Sequence, residues 1–121
     1  PGEPLANYWH GEFPYLPDSG YGQSTPVGSF PANAYGLSDM AGNVWEWTAD
    51  FYAATRDSHS CCAADSYDPD QPGTPVARRV IKGGSFLCAD SYCRRYRPAA
   101  RRPQAVDTGM SHIGFRCVRP G

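Results

Sequence analysis

The chain has 121 residues, enough for one modest core, and its 13 glycines and 12 prolines argue against long regular helices and for short strands joined by loops. A formal net charge of −1 provides no field to draw nucleic acid or a membrane surface, and no apolar run approaches the ~18 residues of a membrane helix, so neither partner is expected. The opening Pro1-Gly2-Glu3-Pro4 has neither an initiating Met nor the charged and apolar parts of a signal peptide, and we expect further residues upstream.

Residues 1–30 carry prolines at 1, 4, 14, 17 and 26 and glycines at 2, 11, 20, 22 and 28, which predicts an irregular segment wrapped around a core. Residues 31–43 read as a turn and a short connection ending at Gly42-Asn43. From Val44 to Tyr52 the apolar and aromatic residues alternate with Glu46, Thr48 and Asp50, the period of a strand. Residues 53–78 form a long loop, a length usually reserved for functional or mobile segments. Residues 80–86 predict a second strand with an irregularity at Gly83-Gly84, the mark of a bulge or a close backbone approach. A basic stretch from Arg94 to Arg102 is interrupted by Pro98, and residues 113–118 predict a third strand. The aromatic content of 13% supplies a core of large flat side chains.

Five cysteines, Cys61, Cys62, Cys88, Cys93 and Cys117, leave at least one thiol unpaired within the chain. No Asn-x-Ser/Thr acceptor is present, and together these facts favour a reducing compartment. Cys88 and Cys93 are separated by four residues, so a turn or short helix between them would let their sulfurs converge. A thiolate pair with no nearby histidine selects copper(I) or zinc over hard cations. Zinc would ask for four ligands at short spacing, and His112 and Cys117 are badly spaced for it. By spacing alone, a disulfide or two buried structural thiols is the stronger reading of the pair, since Cys-x4-Cys is not diagnostic by itself. Glu46 stands between two tryptophans, an expensive place for a carboxylate unless a cation or a base pairs with it. The adjacent Cys61 and Cys62 read as free thiols or ordinary loop residues, because a vicinal disulfide is strained.

Four segments together carry a resemblance. They are Ala6 to Pro14 (ANYWHGEFP), Gly36 to Trp47 (GLSDMAGNVWEW), Arg79 to Arg97 (RVIKGGSFLCADSYCRRYR) and His112 to Cys117 (HIGFRC). In this order the chain resembles the C-terminal part of the formylglycine-generating enzymes, over nearly its whole length. Gly-Asn-Val-Trp-Glu-Trp and Gly-Phe-Arg mark the wider superfamily, which includes iron-dependent sulfoxide synthases and non-catalytic lectin-like binding modules. Cys88 and Cys93 single out the formylglycine branch. The dispersed His10, His59 and His112 do not suit a histidine-rich iron site.

The resemblance implies an α+β, atypical C-type-lectin-like fold that is loop-rich and poor in regular secondary structure, with residues 1–121 as the C-terminal part of a single domain. It implies copper(I) held by Cys88 and Cys93, with Ser85 in the catalytic pocket. Trp45, Tyr92, Arg101 and His112 would contact the substrate. It implies calcium at Asn7, Tyr8, Asp18 (or Ser19) and Tyr21, and again at Asp39, Gly42, Val44 and Glu46, since calcium favours carboxylate and carbonyl oxygens. The implied reaction converts the cysteine of a Cys-x-Pro-x-Arg motif in an unfolded sulfatase polypeptide to Cα-formylglycine with dioxygen. The implied partners are that polypeptide, dioxygen and the upstream part of the same enzyme, and the implied location is the bacterial cytoplasm. Cys117 matches a family cysteine whose disulfide partner lies upstream. The alternative on the same scaffold is a non-catalytic binding module.

Overall fold

The computed structural model describes residues 3–54, 62–90 and 94–121. Six short strands organise them: β1 (Gly11–Glu12), β2 (Leu16–Pro17), β3 (Trp45–Phe51), β4 (Arg78–Lys82), β5 (Arg102–Ala105) and β6 (Ile113–Gly114). One four-residue 3₁₀ turn, Ala63–Ser66, breaks the long loop between β3 and β4. No described helix is long and apolar enough to cross a membrane. The loop-rich architecture is the one that the glycine and proline content demands.

Strands β1 and β2 form a small antiparallel hairpin. The others form a four-stranded sheet in the order β5-β4-β3-β6. Its centre is the antiparallel β3–β4 pair, with Trp47 opposite Ile81 and an irregularity in register between Trp47 and Phe51. Strand β6 runs parallel to β3 at one edge, and β5 runs antiparallel to β4 at the other. The interior strand β4 is buried on both faces at Val80 and Ile81. A core cluster of Trp45, Ile81 and Cys88 sits beside it, with Trp47, Tyr96 and Ile113 packed around. A buried aromatic of this size removes on the order of 200 Å² from water, roughly 5 kcal/mol of gross driving force.

The first expected strand, Val44 to Tyr52, is β3 almost to its ends. The second is β4 and starts earlier than expected. It stops at Lys82 because Gly83 and Gly84 take φ of +93° and +72°, the left-handed region, and turn the chain out of the sheet. A Cβ on Gly84 would lie 2.9 Å from the Tyr96 backbone, so the close approach signalled by the glycine pair is real. The third expected strand shrinks to Ile113–Gly114. Beyond it Phe115 and Val118 are exposed, and Arg116 turns to a different partner. Strand β5 lies in the segment read only as basic. Its Pro103 cannot donate to a ladder, which confines such a strand to an edge, and β5 has that place.

Loops are stitched to the sheet by Asn43, whose φ is +62°. Its N–H donates to the Asn7 carbonyl at 2.6 Å, and its own carbonyl accepts from Phe86 N–H at 2.8 Å. Its Oδ1 accepts from Thr25 N–H at 2.9 Å and from Asn7 Nδ2 at 3.2 Å. The N-terminal segment is thereby fixed against the loop that carries Cys88.

The variant Gly84→Ala should lose more than about 1 kcal/mol of stability, since it combines a left-handed backbone with a contact that backbone atoms cannot relieve. Urea unfolding of wild type and variant reads the loss, and equal midpoints would refute the close approach.

Candidate active site

Cys88 is 2% exposed and packs with Trp45 and Ile81. Its position is set by the backbone. Cys88 N–H donates to the Ser85 carbonyl at 3.0 Å, closing a turn after the two glycines, and the Cys88 carbonyl accepts from Trp9 N–H at 2.9 Å. Ala89 forms a parallel bridge with Trp9. Ser85 is 1% exposed, and its Oγ accepts from Leu87 N–H at 3.2 Å, inside the same turn. Cys93, Tyr92 and Cys61 lie outside the described residues. The described part of the expected site therefore unites Cys88, Ser85 and Trp45, with Trp9 alongside.

The remaining expected substrate contacts divide. His112 gives its carbonyl to Trp45 N–H at 2.7 Å, just before β6, and so belongs to the same corner. The guanidinium of Arg101 lies over the Tyr52 ring, 5.5 Å from its centroid, past the far end of β3.

Asp90 and Tyr96 were given no role from sequence, although both fall within the quoted motif. The Tyr96 hydroxyl donates to the Asp90 carboxylate, joining the two ends of the segment that holds Cys93. The Tyr8 ring stacks on Tyr96 at 5.2 Å. The bond to Asp90, followed by burial, pushes the Tyr96 phenol up to about 12.

The two oxygen-rich sets differ in how they stand. Asn7 is fully buried, and its Nδ2 donates to the Gln23 carbonyl at 2.8 Å, yet its Oδ1 has no donor among the described residues. Trp9 Nε1 and His10 Nε2 are also buried without partners among the described residues, so such atoms gather in residues 7–10. The Asp18–Tyr21 turn folds against this corner. Asp18 N–H donates to the His10 carbonyl at 2.8 Å, and the Tyr21 ring lies 4.0 Å from that of His10. The Asn7 Oδ1 is an oxygen of the kind a hard cation takes, and Asp18, the one acid of the turn, is exposed.

In the second set, both Glu46 oxygens are taken by Arg116, through Nε at 2.5 Å and Nη2 at 2.6 Å. Arg116 Nη2 also donates to the Ser38 and Asp39 carbonyls, and Asp39 Oδ2 accepts from Gly28 N–H at 2.7 Å. The bond to Glu46 raises the Arg116 pKa further above its ordinary value. Here the base supplies the compensation that a carboxylate between two tryptophans requires. As arranged, with Glu46 engaged in this way, the set does not fit a cation. Cys117 is exposed and forms no disulfide among the described residues.

Residues 1–120 match the family model of the sulfatase-modifying factor enzyme 1-like domain. The chain is 52% identical to a formylglycine-generating enzyme of Mycobacterium tuberculosis, covering 94% of this chain and 40% of that protein. It is 48% identical to one of Thermomonospora curvata, covering 97% and 39%. It thus spans about two fifths of the length of these curated relatives. The crystal structure of CarF superposes with a TM-score of 0.60 at 29% identity, over 98% of this chain and 34% of that one. The match bears out the expected loop-rich, lectin-like fold.

Because the Tyr96 pKa is raised above that of an unfolded tyrosine, the stabilisation it carries is complete below pH 10 and is lost as pH rises towards about 12. Site-specific ¹³C labelling of Tyr96 should show a phenol still protonated when free tyrosine has ionised, and Asp90→Asn should lower its midpoint. An unchanged midpoint would contradict the pairing.

Proposed function

The chain belongs to the sulfatase-modifying factor enzyme 1-like family, and from that premise we propose that it carries the cysteine-pair half of an enzyme that converts a peptidyl cysteine of sulfatases to Cα-formylglycine. The observation that carries the reading is Cys88, buried against Trp45 and Ile81, with Cys93 five positions on in the same motif.

Cys88 and Cys93 are the residues that would hold copper(I), a soft donor pair for a soft ion. When bound there, copper(I) supplies the dioxygen activation that thiols alone lack. The chain's own part is to fix the ligands and exclude water. The turn closed on the Ser85 carbonyl sets the backbone direction of Cys88, and the buried Ser85 hydroxyl rigidifies that turn. Trp45 and Ile81 back the thiol with an apolar wall, so that a substrate cysteine would meet it from one side only. The Tyr96–Asp90 bond ties Asp90 to Tyr96 across the cysteine motif. In the overall balance the substrate cysteine's Cβ loses its sulfur as hydrogen sulfide and gains one oxygen atom as an aldehyde. The second oxygen atom leaves as water, with two reducing equivalents from a thiol reductant.

Asn7, with Tyr8, Asp18 and Tyr21, is the set that would hold a structural calcium, supported by the unpartnered Asn7 Oδ1. The set around Glu46 would take a cation only with Arg116 displaced. The substrate is an extended sulfatase segment with a Cys-x-Pro-x-Arg motif, and the pocket is completed by the upstream part of the enzyme. A bacterial cytoplasmic setting accords with the odd cysteine count.

The experiment is turnover of a Cys-x-Pro-x-Arg peptide by the intact protein with copper(I), dioxygen and a thiol reductant, read by mass loss and aldehyde labelling. Wild type should convert the peptide, while Cys88→Ser and Cys93→Ser should each lose both conversion and stoichiometric copper(I) binding. A folded wild-type protein that binds no copper(I) and leaves the peptide intact would instead be a binding module on this scaffold.

A further inference from the structure

A cavity of about 200 Å³ adjoins Trp45. Trp45 and Ile81, the residues that pack on Cys88, also line this cavity. The polar lining is Arg95, Arg102, Gln104 and His112. These come from separate places in the chain. Arg102 opens β5 opposite Ile81, His112 precedes β6, and Arg95 follows the cysteine motif. Their meeting is a product of the fold and not of one basic run.

The charge balance of the cavity is one-sided. No aspartate or glutamate among the described residues lines it. The described ion pairs are Arg78 with Asp68 and Arg116 with Glu46, and neither involves Arg95 or Arg102. Two arginines lining one small cavity bring like charges together, and an anion between them turns that repulsion into attraction. The guanidinium fork matches a carboxylate in two-point geometry, and Gln104 and His112 add neutral hydrogen-bonding groups. The volume suits a single acidic side chain.

The geometry points to a carboxylate-binding subsite at Arg95, Arg102, Gln104 and His112 that takes an acidic side chain of the polypeptide substrate flanking the reacting cysteine. This rests on the proposed function for the identity of the polypeptide. Its nearness to the reaction follows from the shared wall, since Trp45 and Ile81 contact both the cavity and Cys88. The subsite selects among substrates by charge and plays no part in the oxidation.

Two measurements on the intact protein test it, and neither needs turnover. In the first, acetate is titrated against the side-chain Nε–H resonances of Arg95 and Arg102, with chloride at equal ionic strength as control. Acetate should shift both resonances saturably and chloride should not. In the second, binding is compared for Cys-x-Pro-x-Arg peptides carrying Asp or Asn at each flanking position in turn. At one position the Asp peptide should bind about tenfold more tightly. Arg102→Glu should reverse the preference in favour of a Lys peptide, a reversal that mere loss of structure cannot produce. Absence of both the acetate shift and any Asp preference overturns the subsite. Acetate binding without a peptide preference overturns the assignment to substrate. Copper(I) loading and peptide oxidation are separate readouts, so a failure here is distinguishable from failure of the proposed function.

Discussion

The contact of Trp45 and Ile81 with Cys88 couples the sheet to the chemistry. Strands β3 and β4 lie side by side, so these two residues arrive together at the buried side of the sheet, and the loop after Gly83-Gly84 has to deliver Cys88 onto them. Other features serve that delivery. The left-handed glycines turn the chain, the Ser85 carbonyl closes the turn, and the Trp9 N–H fixes the far side of the cysteine. A thiol so enclosed is protected from casual oxidation and is presented by a wall that cannot yield easily, because packed interiors resist small shifts.

Away from that contact, the fold withdraws polar groups from water, wholly at Asn7 and partly at Glu46, and treats them in two ways. Glu46 is neutralised within the chain by Arg116, a partner 70 residues away in sequence, and the pairing draws the segment after β6 down on the Ser38-Asp39 turn. Asn7 is satisfied on its amide nitrogen and left open on its oxygen. One corner is closed by an ion pair and the other leaves an amide oxygen without a partner among the described residues. The two expected calcium sets thus stand differently in three dimensions.

Much of this was legible in the sequence where local chemistry decides structure. The alternation from Val44 to Tyr52 marks β3, the Gly83-Gly84 pair marks a tight approach, and Glu46 between tryptophans marks a carboxylate in need of a partner. What stayed hidden depends on pairings between distant segments. Strand β5 carries arginines and Pro103 and has no strand signature of its own, and only the free edge of β4 makes it a strand. Residues 115–118 alternate as a strand should but find no neighbouring edge. The identity of the Glu46 partner could not be chosen among several arginines without the fold. The same holds for the cavity lined by Arg95 and Arg102, which look like part of a solvated basic run until the fold brings them together beside Trp45.

The central claim is that Cys88 is buried to serve, with Cys93, as one half of a soft metal site. Anomalous scattering at the copper edge, from crystals of the intact protein loaded with copper(I) under anaerobic conditions, tests it most directly. A single strong peak bonded to the Sγ atoms of Cys88 and Cys93 is the predicted result. A peak elsewhere, or a direct bond between the two sulfurs with no copper beside them, would contradict it.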